Sequence, residues 1–134
     1  MRASQITRNL SNKIHRISII NTVERPYLKW LANGQKTAEG RINTPARQKM
    51  QVGEQIFLFD SKNNQNILGV ISFKHEYKTF REMLITEGVR NMLPFLKPED
   101  LGQAVKVYES FPGAERVKEF GCVAIGIRVI CAQL

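Results

Sequence analysis

The residues best suited to chemistry in this chain fall in one short run, Gly34-Gln35-Lys36-Thr37-Ala38-Glu39-Gly40-Arg41. Two cations and a carboxylate lie within six residues, flanked by glycine. In an extended segment side chains alternate between faces, so Thr37, Glu39 and Arg41 share one side and Lys36 and Ala38 the other. Glu39 and Arg41 are then neighbours, able to pair or to present an acceptor and a donor to one ligand. Lys36 and Glu39 make a general acid–base pair only where burial shifts their pKa values. By residue type alone, the run fits a solvated glycine-rich connector about as well.

Charge gives the run its context. The net charge is +8, and residues 1–50 carry all of it, with ten Lys or Arg against Glu24 and Glu39. The remaining 84 residues balance ten basic against ten acidic side chains. Such asymmetry points to a polyanionic partner, since cations that neutralise phosphates release condensed counterions. The alternative is a solubilising basic face. Arg47 and Lys49 extend the cationic surface after the run, and Arg25 and Lys29 precede it. Cys122 and Cys131 lack C-x-x-C spacing and read as reduced thiols near the last strand. His15 and His75 lack metal-ligand spacing, so neither a metal nor a cofactor is expected.

The elements that must position these residues follow from periodicity. Residues 1–15 read as a flexible basic tail and 16–134 as one domain. Arg16 to Ile20 is β-branched enough for a first strand. Tyr27, Leu28, Leu31 and Ala32 then show helical spacing, with Pro26 before them and Asn33-Gly34 as the stop. Gln35 to Gln51, broken by Pro45, reads as an ordered loop or irregular strand. Gln55 to Phe59 and Ile67 to Phe73 read as a hairpin across a polar turn. Thr79-Phe80-Arg81-Glu82 fits a capping box, with Gly88 near the helix end. A further helix follows Lys97-Pro98, with an acidic first turn and an apolar stripe of Leu101, Ala104, Val105 and Tyr108. Val123 to Val129 alternates like a strand with one face in a core. This order predicts an α+β domain with a mostly antiparallel curved sheet. Tyr108 is expected half in the core and half in a cleft. Trp30 is more often a core anchor than a stacking platform.

The run is also a motif. Gly-x-Lys-Thr-x-Glu-x-Arg resembles the signature of the ASCH family, and further segments match in order. Glu87-Gly88-Val89-Arg90-Asn91-Met92-Leu93-Pro94 is similar to the family's E-G-x-x-x-x-L-P segment. Ala104 to Tyr108 and Gly121 to Ile125 are similar to the later helix and closing strand of its short prokaryotic members. The likeness covers about Tyr27 to Ile127. It implies a small PUA-like β-barrel of about five to six strands with flanking helices, and a cleft beside the signature loop. Through it, Lys36, Thr37, Glu39, Arg41, Arg47, Lys49 and Tyr108 become candidates for binding RNA or a nucleotide.

Some relatives hydrolyse N4-acetylcytidine with a signature Lys, a Thr three residues on and a later Glu, and others cleave RNA. Lys36 matches that Lys, but Glu39 occupies the Thr position and removes the hydroxyl nucleophile. Glu82, Glu87 and Glu109 compete for the later Glu. The expected function is therefore an RNA-binding module, with Lys36 and Glu39 as catalytic residues if the protein is instead a small hydrolase of a modified nucleoside or a ribonuclease. A protein-interaction adaptor is the third reading. No run approaches the roughly 20 apolar residues of a membrane span, and no secretory pattern opens the chain. An intracellular, cytoplasmic location is expected, with mitochondrial or nuclear sites as alternatives.

Overall fold

The computed structural model describes residues 14–134, so the expected tail lies outside the described residues as far as residue 13. The apolar alternation of the middle of the chain builds the centre of one sheet. The strand Gln55–Asp60 (β3) buries Ile56 and Leu58 on its inner face, and Gln65–Tyr77 (β4) buries Ile67 and Ile71. They form the expected antiparallel hairpin. In its turn Asp60 accepts from the Lys62 backbone N–H at 3.0 Å and from Asn63 Nδ2 at 2.7 Å. The strand His15–Ser18 (β1) adds to β3 in parallel. On the other side Cys122–Gln133 (β5) pairs antiparallel with β4, and Ala38–Ile42 (β2) antiparallel with β5. The order is β1-β3-β4-β5-β2, which leaves β1 and β2 as the two edges.

The sheet curls because its longest pair is irregular. Register shifts between Leu68 and Gly69 and between Ile71 and Phe73 interrupt the β4–β5 ladder, and a bulge bends the strand that carries it. At the second shift the backbone of Gly126 lies against Phe73, where a Cβ would stand 2.1 Å from the ring. The curl brings the edges together until Arg41 on β2 donates from Nη2 to the Ser18 carbonyl on β1 at 2.7 Å. The result is a five-stranded, curled half-barrel, antiparallel except for β1 and β3, in an α+β chain. It matches the expected small PUA-like barrel.

Helices fill the inside of the curl. Tyr27–Ala32 (α1) contributes Leu28 and Leu31 to the core, and Phe80–Glu87 (α3) contributes Met83 and Leu84. The short helix Val89–Met92 (α4) and Leu101–Glu109 (α5) join the same apolar cluster through Met92, Ala104, Val107 and Tyr108. The Thr79 hydroxyl accepts from the Glu82 backbone N–H at 3.1 Å, half of the expected capping box. Glu82 returns to the Lys78 N–H at 3.3 Å, one residue further back than the box requires. Thr79→Ala should therefore cost about 1 kcal/mol of stability, read as an earlier midpoint in urea unfolding. A loss near zero would mean that the cap is frayed in solution.

Three expectations about elements need correction. Gln35 to Gln51, expected as an ordered loop or irregular strand, holds the regular strand β2 and the one-turn helix Pro45–Gln48 (α2). The strand is regular despite its polar composition because it pairs with β5. The alternation expected in the last strand begins only at Ile127, because Cys122 to Gly126 are all buried. That half of β5 lies between β4 and β2, with α3 packed on it, whereas the second half extends beyond β2. In α5 the buried positions are Ala104, Val107 and Tyr108, with Leu101 and Val105 half-buried. Glu99 and Asp100 precede its first turn, and the Asp100 carboxylate accepts from the Lys97 N–H at 3.1 Å.

Candidate functional site

The loop between α1 and β2 is held at both ends by backbone bonds. Gly34 turns the chain at φ 84 after the helix stop, and the Lys36 N–H then bonds the Trp30 carbonyl at 3.0 Å. The Thr37 N–H bonds the Asn91 carbonyl at 2.9 Å, which ties the loop to α4. These bonds turn the Lys36 side chain inward, leaving it 2% exposed. Its Nζ donates to the Met92 carbonyl at 2.5 Å and lies 5.5 Å from the centre of the Tyr27 ring. Burial lowers the Lys36 pKa from its usual value, an effect that Glu39 opposes and Arg41 reinforces.

Lys36 therefore stands outside the strand, since β2 begins at Ala38. Strand alternation, which places Lys36 and Glu39 on opposite sides, does not govern it. Lys36, Glu39, Arg41, Arg47 and Tyr108 all line one cleft of about 390 Å³. The cleft lies at the seam where the two sheet edges approach. Ser18 to Ile20 form one lip and Glu39 to Ile42 the other, with Tyr27, Phe80, Leu93 and Tyr108 between them. Phe111, Pro112, Ala114 and Arg116, from the turn and 3-10 segment after α5, close the far wall.

The lining is aromatic and charged together. Tyr108 is 3% exposed, stacks on Phe80 at 5.5 Å and meets Phe111 edge-on at 5.5 Å. It belongs to core and cleft, as expected, and burial raises its pKa well above the usual phenol value. The Tyr27 hydroxyl is buried with no hydrogen-bond partner at bonding geometry, although the Arg25 guanidinium is close enough to act on it electrostatically. Glu39 is 8% exposed, and its nearest cation is Arg41 Nη2 at 3.9 Å, too far for a hydrogen bond. Arg47 on α2 donates to the Ile42 carbonyl at 3.1 Å. Its pKa is lowered first by burial and then by the positive charge of Arg41, with Arg116 adding to the effect and Glu39 opposing it.

Other candidates lie elsewhere. Thr37 and Lys49 are exposed and outside the cleft lining. Trp30 stacks on Phe95 at 6.0 Å and meets Tyr27 edge-on at 5.7 Å, so it packs against the core rather than lining the cleft. None of the glutamates considered for the later acidic position reaches the cleft. Glu82 serves the α3 cap, Glu109 is exposed, and Glu87 accepts from the Tyr77 hydroxyl and contacts His75 Nδ1 at 2.8 Å. Burial and then Glu87 push the Tyr77 pKa up to about 12. Among the described residues no group of three or more His, Cys, Asp or Glu is placed to hold a metal. Both cysteines are free and lie on β5, with Cys122 buried. No described helix is long and apolar enough to cross a membrane. Sequence reasoning missed Arg116 and Phe111. Neither belongs to a motif, and only the turn at Pro112-Gly113 brings them to the seam.

Comparison with known proteins agrees with this architecture. The crystal structure of hypothetical protein PH0355 has a TM-score of 0.73 and 31% identity, covering 87% of this chain and 99% of that one. The solution structure of protein PF0455 from Pyrococcus furiosus has a TM-score of 0.66 and 26% identity, covering 87% of this chain and 97% of that one. No curated protein is significantly similar. The ASCH domain profile matches residues 22–129, from the approach to α1 to well into β5, and so takes in the Glu39 to Ile42 lip of the cleft and its aromatic floor but not the Ser18 to Ile20 lip. With that match over most of its length, the chain belongs to the ASCH domain family, whose members are generally associated with RNA binding.

Proposed function

We propose that this protein is an RNA-binding module that holds an unpaired stretch of RNA, or a single nucleotide, in the cleft between β1 and β2. The observation that carries the reading is the charge around that cleft: Lys36, Arg41, Arg47 and Arg116 line it, with Glu39 the one acidic residue among them. Arginines held near one another repel, and a phosphate between them offsets that repulsion with bidentate, charge-assisted bonds. Aromatic faces beside cations suit unpaired bases, which stack on rings while their edges are read by hydrogen bonds. Of the cationic candidates, Lys49 is assigned at most to longer-range attraction, because it lies outside the cleft.

The test is titration of labelled single-stranded RNA at low and physiological salt against wild type, Lys36→Ala/Arg41→Ala, and Lys29→Ala/Lys49→Ala as a control off the cleft. Binding to single strands weakens with salt by a slope of about 0.7 per phosphate contacted. The cleft variant should lose binding and flatten that slope, while the control changes affinity only slightly. Because Arg41 also ties the two sheet edges through Ser18, circular dichroism must show the cleft variant folded. A folded variant that binds like wild type would move the contact away from the cleft.

The hydrolase reading is favoured by one observation, the buried Lys36 amine with its lowered pKa near Glu39. A less charged amine is a better base, and Glu39 is an available acid–base partner. Turnover of N4-acetylcytidine, or cleavage of labelled RNA, above a Lys36→Ala background would establish it.

A further inference from the structure

The amine and the carboxylate in the cleft are arranged in a way that their own pairing does not explain. Lys36 and Glu39 are 2% and 8% exposed and line the same cleft, yet they form no direct ion pair. Lys36 Nζ spends one N–H on the Met92 carbonyl and keeps at least one more in either charge state. Glu39 receives no hydrogen bond from any described residue; Arg41 stands off at 3.9 Å. A nearly buried carboxylate without donors is costly, and a ligand that supplies them recovers the cost. Tyr27 lines the same space, its hydroxyl buried with the Arg25 guanidinium nearby.

Resting on the reading of the cleft as a nucleotide site, we propose that it selects guanine among the four bases. Guanine alone presents two adjacent N–H donors, N1–H and the N2 amine, beside a carbonyl acceptor, O6, on one edge. The two oxygens of Glu39 accept both donors, and Lys36 donates to O6. Uracil has one donor flanked by two carbonyls, so one oxygen of Glu39 would face a lone pair. Cytosine and adenine each offer an amine beside an unprotonated ring nitrogen, which leaves the second oxygen opposed in the same way. Carboxylates accept bidentate donors well, and a good bidentate pair discriminates against a wrong base by about tenfold or more. The half-buried Phe111 ring is the stacking surface, and Arg47 and Arg116 at the rim receive the phosphate. A volume of about 390 Å³ suits one nucleotide, near the lower end of the roughly 300–1,000 Å³ usual for small-molecule sites.

Calorimetric titration of the whole protein with the 5′-monophosphates of guanosine, inosine, adenosine, cytidine and uridine, at one salt concentration, tests this. Inosine monophosphate lacks only the N2 amine and should bind about tenfold more weakly than the guanosine form. The 7-deazaguanosine analogue, altered away from the edge that is read, should match guanosine. Glu39→Gln keeps the shape but turns one acceptor into a donor, so it should abolish the guanosine–inosine difference while thermal unfolding shows the variant folded. A second arm compares short oligouridine with and without a single guanosine. Equal affinity for the five nucleotides, or preference for another base, overturns guanine selectivity and leaves RNA binding standing. RNA binding without any base dependence does the same. Failure to bind any nucleotide or either oligonucleotide overturns both readings together.

Discussion

Lys36→Met is expected to leave the protein folded, to weaken nucleotide and RNA binding by roughly ten- to a hundredfold, and to remove a rise in stability as pH is raised towards the ordinary lysine pKa. The binding loss follows from deleting a charge-assisted donor, about 1.5–3 kcal/mol, with a side chain of similar length that still fills the space. The pH effect follows from linkage. Burial holds the Lys36 pKa below its ordinary value in the folded protein. Between the folded and unfolded pKa values the unfolded chain binds more protons, so stability increases with pH over that interval. Below the folded pKa the cost of the buried ammonium is present in full. Lys36→Met has no such group and should give a flatter profile in urea unfolding at successive pH values. The comparison must stop short of about pH 10. Below that limit the Cys122 thiol, which burial pushes up to about 12, already acts in the opposite direction from about pH 8.5, but equally in variant and wild type. Beyond it the raised pKa values of Tyr27, Tyr77 and Tyr108 do the same, because their phenols ionise first in the unfolded chain. Removing Lys36 also leaves the Met92 carbonyl without its side-chain donor, so the slope rather than the stability at one pH is decisive. Equal slopes for variant and wild type would show that Lys36 is hydrated in solution.

Gly40→Ala should lower stability by about 1–3 kcal/mol and narrow the cleft as well. A Cβ at this position would stand 2.8 Å from the Tyr108 hydroxyl and 2.9 Å from Cε1 of the same ring. Neither side can yield easily. Gly40 is fixed in the β2–β5 ladder opposite Ala124, and Tyr108 is wedged between Phe80 and Phe111. For a domain of this size such a loss lowers Tm by roughly 3–11 °C. In a Tyr108→Ala background the added methyl group meets no ring, so the same substitution should cost much less. A coupling of about 0.5–3 kcal/mol in that double-mutant cycle would place the contact; independent effects would show that the strand relaxes around the methyl group. Wild-type nucleotide affinity in Gly40→Ala would mean that the Tyr108 side of the cleft is not used.

The local features of the fold were legible where one interaction dominates. The β3–β4 hairpin, the stop of α1 at Asn33-Gly34 and the Thr79 cap depend on residues close in sequence, and each formed where periodicity and turn chemistry indicated. Strand β2 was legible only as one of two alternatives, an ordered loop or an irregular strand. Its polar residues lack an apolar alternation, and it is a regular strand because β5, some 80 residues later, supplies its hydrogen bonds. The ion-rich run Lys36 to Arg41 stood out by residue type, and its resemblance to the ASCH signature brought the family and the expectation of a cleft.

What the sequence determined by itself was therefore the family, the α+β class and the types of groups available for binding, because these are encoded in ordered motifs and local patterns. Which of those groups share a site was decided by the tertiary structure. Two register shifts bend the β4–β5 pair and bring the edges β1 and β2 within reach of Arg41. The loop bonds to Trp30 and Asn91 turn Lys36 inward beside Glu39 while Thr37 remains exposed. The turn after α5 delivers Phe111 and Arg116 from the far end of the chain. Spacing along a strand says which way neighbouring side chains point, but only closure of the sheet sets distant residues around one cleft.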